Sequence, residues 1–313
     1  MNKRYQVAGK ALGSEVVLTL ITENSDVADD TFKVLWEKIT HFEAQFSRFQ
    51  PTSELSLFNQ KSGSWQKVSS EFLSILHCTQ IFSQETTGLY NPFILPALQQ
   101  AGYQGSWPHT SEVILSTDYT NRHIFPPNAL KIENGEVYIP EGAALDLGGI
   151  GKGFLLDLLG TYLEGTIENY WLSLGGDILC KGTDINNAPW AINVQNAQGE
   201  ILPFQIINTN KKSFGIATSG VTKRKGKHNN KAWHHIIDPK TGLPSETDVS
   251  IATVCAPSAV AADIHAKCLV IRGSSQAEKY LKQHAIQSAL LQIKTNDPSQ
   301  QIFAYGPDIV KKI

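Results

Sequence analysis

Long apolar stretches, paired cysteines and an extended basic run are all missing from this sequence, and each absence removes a class of function. The formal net charge is −2, so no broad positive field exists to hold a nucleic acid. An anionic ligand has to be held by a few placed groups. The four cysteines, Cys78, Cys180, Cys255 and Cys268, are scattered without C-x-x-C or Cys/His metal spacing. They read as free core thiols, which suits a reducing compartment. No segment approaches the roughly 18–20 apolar residues needed to span a bilayer. The N-terminus, MNKRYQVAGKALGSEVVLTLI, has a basic start but neither the apolar core nor the cleavage site of an export signal. The chain as given therefore reads as soluble, unexported and cytoplasmic, with no membrane span and no nucleic-acid partner.

What is present is a chain of 313 residues, 41% hydrophobic and 18% charged. That is enough for one large globular domain or two small ones, and we read one domain over 1–313. Residues 14–21 alternate as a strand. Residues 26–46 carry Phe32, Leu35, Ile39, Phe42 and Phe46 at helical spacing. After a polar loop, helices are expected near 69–83 and 93–100, and again at 152–163. Apolar β-rich runs follow at 169–174, 189–194, 203–208, 214–218, 232–237 and 249–255. Ser258 reads as the N-cap of a helix to Ile271, with Gly273 as its stop. Strands bunched late, without regular βαβ alternation, predict an α+β fold. The loops at 102–122 and 222–231 read as mobile segments.

The densest signal is ALDLGGIGKG, residues 144–153. It fails the phosphate-loop template, because Gly151-Lys152 is followed by Gly153 and position 146 is Asp. It fails the dinucleotide fingerprint too, since Phe154 stands where the third glycine belongs. A strand-like approach, bare amides at 148–153 and a helix start near Gly153 still make a seat for a phosphate, with Lys152 as added charge. A plain Gly-rich corner accounts for the run equally well.

Five further stretches decide between these readings: FSRFQPTSELSLFN (46–59), TTGLYNPFILPAL (86–98), LSLGGDILCKG (172–182), GIATSG (215–220) and WHHIIDPKTGLP (233–244), the last followed by IATVCAPSAVAADIHAKCLVI (251–271). In this order they resemble the FAD:protein FMN transferases, the ApbE-like flavin transferases, over roughly residues 12 to 272. The resemblance implies a single α+β, T-fold-like domain with mixed antiparallel sheets and flanking helices. It implies transfer of FMN from FAD to a Thr or Ser hydroxyl of an acceptor flavoprotein, with release of AMP. It also implies FAD contacts from Leu12, Phe49, Leu89, Tyr90, Asn91, Asp146, Lys152, His235 and Ile237. Asp146 would meet the flavin part and Lys152 the pyrophosphate. The proton-handling groups would be Ser219 and His235, with Asp263 beside them, all in one cleft. By the same resemblance Mg²⁺ would be held at Gly149, Asp263, Ala266 and Lys267.

At several of these positions the sequence departs from the family pattern. Lys267 stands where the family has a metal-ligating threonine, and a charged lysine has no lone pair to give. Asn91 replaces an aspartate, Gly151 an alanine, and Leu12-Gly13-Ser14 a Met-Gly-Thr. Two readings follow: an active, Mg²⁺-dependent transferase, or a flavin-binding relative with weakened or lost transfer. Gly175-Gly176-Asp177 and Asp238–Gly242 read as turns.

Overall fold

Burial alternates along Lys3–Ala11 and Asn169–Leu174, while Val249–Ala256 is buried along its whole length, and Ser53, Ser69 and Ser258 cap the helices that follow them. The computed structural model describes residues 2–103, 124–228, 231–294 and 301–312. The chain opens with the hairpin β1 (Lys3–Ala11) and β2 (Ser14–Thr22), then α1 (Ser25–Phe46). Next come α2 (Glu54–Gln60), β3 (Trp65–Lys67) and α3 (Ser70–Glu85), and a 3-10 turn at Pro92–Ile94 runs into α4 (Leu95–Ala101). The short strands β4 (Lys131–Glu133) and β5 (Glu136–Tyr138) precede α5 (Gly151–Leu163). Five strands follow: β6 (Asn169–Leu174), β7 (Asp177–Lys181), β8 (Ala191–Gln195), β9 (Ile201–Ile207) and β10 (Phe214–Gly220). Two small hairpins come next, β11 (Lys225–His228) with β12 (Lys231–His234), and β13 (Ile237–Asp238) with β14 (Leu243–Pro244). The chain closes with β15 (Val249–Ala256), α6 (Ala259–Arg272), α7 (Ser274–Gln283), β16 (Ser288–Ile293), β17 (Gln301–Tyr305) and β18 (Ile309–Lys311). The fold is α+β with antiparallel sheets, as the bunching of strands predicted.

The chain divides into two compact units: Met1–Glu43, Lys152–Gly220 and Thr247–Ile313 form the first, and Ala44–Gly151 with Val221–Glu246 the second. In the first unit an eight-stranded sheet runs in the order β1-β2-β6-β7-β10-β15-β16-β17, and a second sheet is β18-β9-β8. Ile178, Cys180, Phe214, Ile216, Cys255 and Leu290 of the large sheet share one apolar core with Ile192, Val194 and Ile206 of the small one and with Trp190 just before it. Helix α6 packs against β10 and β15. Its first turn is capped twice. Ser258 Oγ accepts from Ala261 N, and the Asp157 carboxylate accepts from the amides of Ala259 and Val260 at 2.8 and 2.9 Å. Burial pushes the Asp157 carboxyl up to about 6, against the pull of those two amides.

The second unit holds α2, α3, α4 and the sheet β3-β5-β4. Leu55, Phe58, Phe72, Ile75 and Val137 are buried there, with the Phe58 and Phe72 rings edge to face at 5.3 Å. A separate cluster joins Ala97, Leu98, Tyr103, Trp233 and Ile237.

The structure changes several sequence expectations. The segment 222–231, read as a loop, contains much of the β11–β12 hairpin, with Lys225 opposite His234. Its Lys/Asn composition hid the strand period. The polar loop after α1 holds α2, capped by Ser53, whose Oγ accepts from Ser56 N. Helix α5 begins at Gly151, ahead of the expected start. Most of the 102–122 loop lies outside the described residues. Among the described residues no helix is long and apolar enough to cross a membrane.

Candidate functional site

In the second unit the loop before α5 is built around Asp146. Its Oδ1 accepts from Gly148 N at 2.7 Å and its Oδ2 faces Arg48 Nε at 3.1 Å. The loop is tied down on both sides: Asp146 N donates to Pro92 O, while Asn59 donates to Leu145 O and accepts from Leu145 N. Arg48 and Asp146 side chains are 10% and 5% exposed, so the carboxylate is held by a guanidinium with little water to screen the pair.

Arg48 belongs to an aromatic patch. Its guanidinium lies 4.3 Å from the Phe49 ring centre and 4.8 Å from that of Tyr103. Phe49 and Tyr103 meet edge to face at 6.3 Å, and Tyr103 lies 6.2 Å from the His235 ring. Phe49 is 42% exposed, unusual for a phenylalanine that packs only a core. An exposed ring, a buried carboxylate and an imidazole on one patch suit a flat, polar-edged aromatic ligand. Sequence reasoning missed Arg48 as a site residue, although it stands inside the quoted FSRFQ; a single arginine between two phenylalanines was the available signal.

His235 Nδ1 lies 3.3 Å from Arg224 O, which also accepts from His235 N. A carbonyl only accepts, so Nδ1 carries the hydrogen and the basic lone pair of the neutral ring is on Nε2. His234 turns elsewhere, its Nε2 contacting Ser245 O at 3.1 Å. Leu89, Tyr90 and Asn91 are buried, as is Ile237. Asn91 serves the nearby backbone, with Oδ1 accepting from Phe93 N and Nδ2 donating to Phe125 O. An aspartate could not make the second bond.

The first unit gathers Lys152, Asp177, Ser219, Asp263 and Lys267 around the inner strands and α6. Lys152 Nζ is bonded to Asp177 Oδ2, and Asp177 Oδ1 accepts from Thr218 N. Lys152 is thus neither a solvated helix-start lysine nor an uncompensated charge for a phosphate. Burial pushes the Asp177 carboxyl above its ordinary value; Lys152 opposes this, Asp263 adds to it and Lys267 opposes it. The Gly175-Gly176 turn, with both residues at positive φ, brings Asp177 to this position. Ser219 is buried on β10, opposite Ala252 of β15. Leu12 sits at φ 55 in the two-residue β1–β2 turn with Gly13 at φ 63, a strained backbone for a leucine that costs of order 1 kcal/mol.

Part of the expected cradle of bare amides is spent. Gly148 N is bonded to Asp146, while Ile150 N and Gly151 N both donate to Leu147 O. Gly153 has a packing reason instead: a Cβ there would meet the Val260 Cα at 2.6 Å.

Of the donors read for Mg²⁺, those on α6 (Asp263, Ala266 and Lys267) do not fit a metal as they stand. Lys267 Nζ is bonded to Asp263 Oδ1 and contacts the Asp263 carbonyl at 3.3 Å. Asp263 Oδ2 is buried with no hydrogen-bond partner among the described residues, so one carboxylate oxygen is left beside the ammonium that holds the other. Ala266 can offer only its carbonyl, which within α6 faces the amide ladder.

Fold and motifs together define an ApbE-family protein: the family model matches residues 12–291, and the chain belongs to that family. Among relatives, the FAD:protein FMN transferase of Vibrio cholerae is 30% identical over 260 residues, 81% of this chain and 76% of that protein. That of Haemophilus influenzae is 27% identical over 299 residues, covering 88% and 82%. The solved flavin transferase ApbE from Vibrio cholerae superposes with a TM-score of 0.81 at 26% identity, covering 97% of this chain and 98% of that one. The ApbE protein of Thermotoga maritima, at 22% identity and a TM-score of 0.81, shares the fold.

Proposed function

We infer that this chain is an FAD:protein FMN transferase: it moves FMN from FAD to a Thr or Ser hydroxyl of an acceptor flavoprotein. The observation that carries the reading is the patch of Asp146, Arg48, Phe49, Tyr103 and His235, set in a chain whose family match runs through both units. That continuous match also supports reading 1–313 as one transferase domain. In the reaction the hydroxyl oxygen attacks the FMN-side phosphorus of FAD. The P–O bond to the AMP phosphate breaks, a phosphoester forms, and AMP departs with the bridging oxygen. His235 Nε2 takes the hydroxyl proton; Ser219 is carried as a second proton-handling group by the family resemblance alone. Asp146, oriented by Arg48, accepts from the flavin edge, while Phe49 and Tyr103 offer ring surface. By the family resemblance Leu12, Leu89, Tyr90, Asn91, Lys152 and Ile237 are further FAD contacts. No step is routed through a metal, because Lys267 occupies the carboxylate that the α6 donors would offer one.

Incubating the protein with FAD and a flavoprotein acceptor tests this reading. Intact-mass measurement is expected to find the acceptor heavier by one FMN moiety with one AMP released per transfer. AMP release into water, with no mass gained by any acceptor, would instead point to a pyrophosphatase.

Arg48 gives a second test of the patch. Arg48→Met keeps the aliphatic stem and removes the charge that orients Asp146. FAD is expected to bind about tenfold more weakly, equivalent to about 1.4 kcal/mol, with overall folding checked by circular dichroism. Unchanged FAD affinity by fluorescence titration would return Arg48 to a purely structural role.

A further inference from the structure

Helix α6 carries Asp263 and Lys267 one turn apart, and their burial sets them off from an ordinary helix ion pair. Lys282 and Glu278 on α7 have the same spacing, with side chains 64% and 59% exposed; such pairs contribute little. Lys267 and Asp263 are 20% and 4% exposed. A carboxylate that deep needs a cation beside it, and Lys267 supplies one from its own helix. The neighbourhood is already balanced. Lys152 is bonded to Asp177, Lys267 to Asp263, and Asp177 feels the charges of both Asp263 and Lys267. Two lysines and two carboxylates sum to zero formal charge, so a divalent ion added here would leave an excess of +2 in a largely buried group.

We propose that the Lys267 ammonium is the built-in cation of this site, occupying by covalent tether the place beside Asp263 that the family resemblance assigns to Mg²⁺, and that it excludes a divalent ion there. The transferase reading enters only through the assignment of a metal to Asp263. Lys267 satisfies one carboxylate oxygen and stands within a few ångströms of any ion that approached the other. Like-charge repulsion at about 4 Å weakens such an ion by about tenfold to several-hundred-fold, depending on the effective dielectric. Threonine at the same position would remove the repulsion and contribute a hydroxyl oxygen.

The test uses the full chain without FAD or acceptor, so its outcome is independent of whether FMN is transferred. Mn²⁺, followed by the EPR signal of the free ion, and Mg²⁺, followed by calorimetry, are titrated into wild type, Lys267→Thr and Lys267→Met. Lys267→Thr is expected to bind Mn²⁺ at least about tenfold more tightly than wild type, and adding Asp263→Asn should abolish the gain. Lys267→Met, which loses the charge but adds no oxygen, should fall between them. Equal affinity of wild type and Lys267→Thr, whether tight or weak, overturns the proposal. If Lys267→Thr fails to fold, wild type against Asp263→Asn decides: Mn²⁺ binding by wild type that Asp263→Asn removes overturns it, and the lack of any Asp263-dependent binding supports it.

Discussion

His235→Ala is expected to slow FMN transfer by about 10²–10⁴-fold, the usual worth of a positioned general base, while FAD still binds within a few-fold of wild type. The Arg224 carbonyl fixes the tautomer: with Nδ1–H directed at that oxygen, the lone pair on Nε2 is the one able to take a hydroxyl proton. Tyr103 lies beside the ring. Alanine removes the base, yet the Asp146–Arg48 pair and the Phe49 ring, to which the proposed function assigns the flavin, remain. The two effects therefore separate in measurement. Single-turnover AMP release and acceptor mass report the chemical step, and fluorescence titration reports FAD. Transfer at the wild-type rate would take His235 out of the mechanism, and a parallel collapse of FAD affinity would make it a binding residue.

The second large effect is on folding. Gly153→Ala is expected to destabilise the protein by about 2 kcal/mol or more, the upper part of the range for overpacking. An alanine Cβ would stand 2.6 Å from Val260 Cα, 2.7 Å from Ala259 O and 2.8 Å from Val260 N. All three are main-chain atoms of the first turn of α6, so no flexible side chain can yield. The clash outweighs the roughly 1 kcal/mol that alanine normally gains over glycine inside a helix. The same turn leads to Asp263, so a shifted α6 should also lower transfer. Urea unfolding reads the stability directly, and a variant as stable as wild type would show that α5 and α6 separate without strain.

Much of this was legible in the chain itself. The period-3.6 spacing of Phe32, Leu35, Ile39 and Phe42 announced α1, and all four are buried. Ser258 and Gly273 bounded α6 where they were expected to. The ordered motifs led to the family, and the late bunching of strands to an α+β fold. Other elements were silent for physical reasons. The β11 segment is too polar to display a strand period. In α2 the helix is only seven residues long, too short for periodicity to stand out from its polar surroundings. A glycine-rich string does not say which amides its own turn consumes, and here Gly148, Ile150 and Gly151 are engaged within the loop.

What the sequence determined by itself was the kind of residue available and its local setting: the glycine run before a helix, the HHIIDP turn, and an aspartate with a lysine one helical turn later. These are short-range properties, set by side-chain period, cap chemistry and turn preference, and they survive in any fold that uses the segment. Tertiary structure decided the partners. Arg48 came to Asp146 because the loop before α5 is fastened at Asn59 and Pro92. Lys152 came to Asp177 because the tight turn between β6 and β7 ends against the start of α5. Asp263 became a buried carboxylate only when α6 lay on β10 and β15, and burial turned its one-turn neighbour Lys267 from a surface pair into the site's own cation. Whether a charge is free, paired or desolvated depends on which distant segments exclude water from it, and no local pattern encodes that.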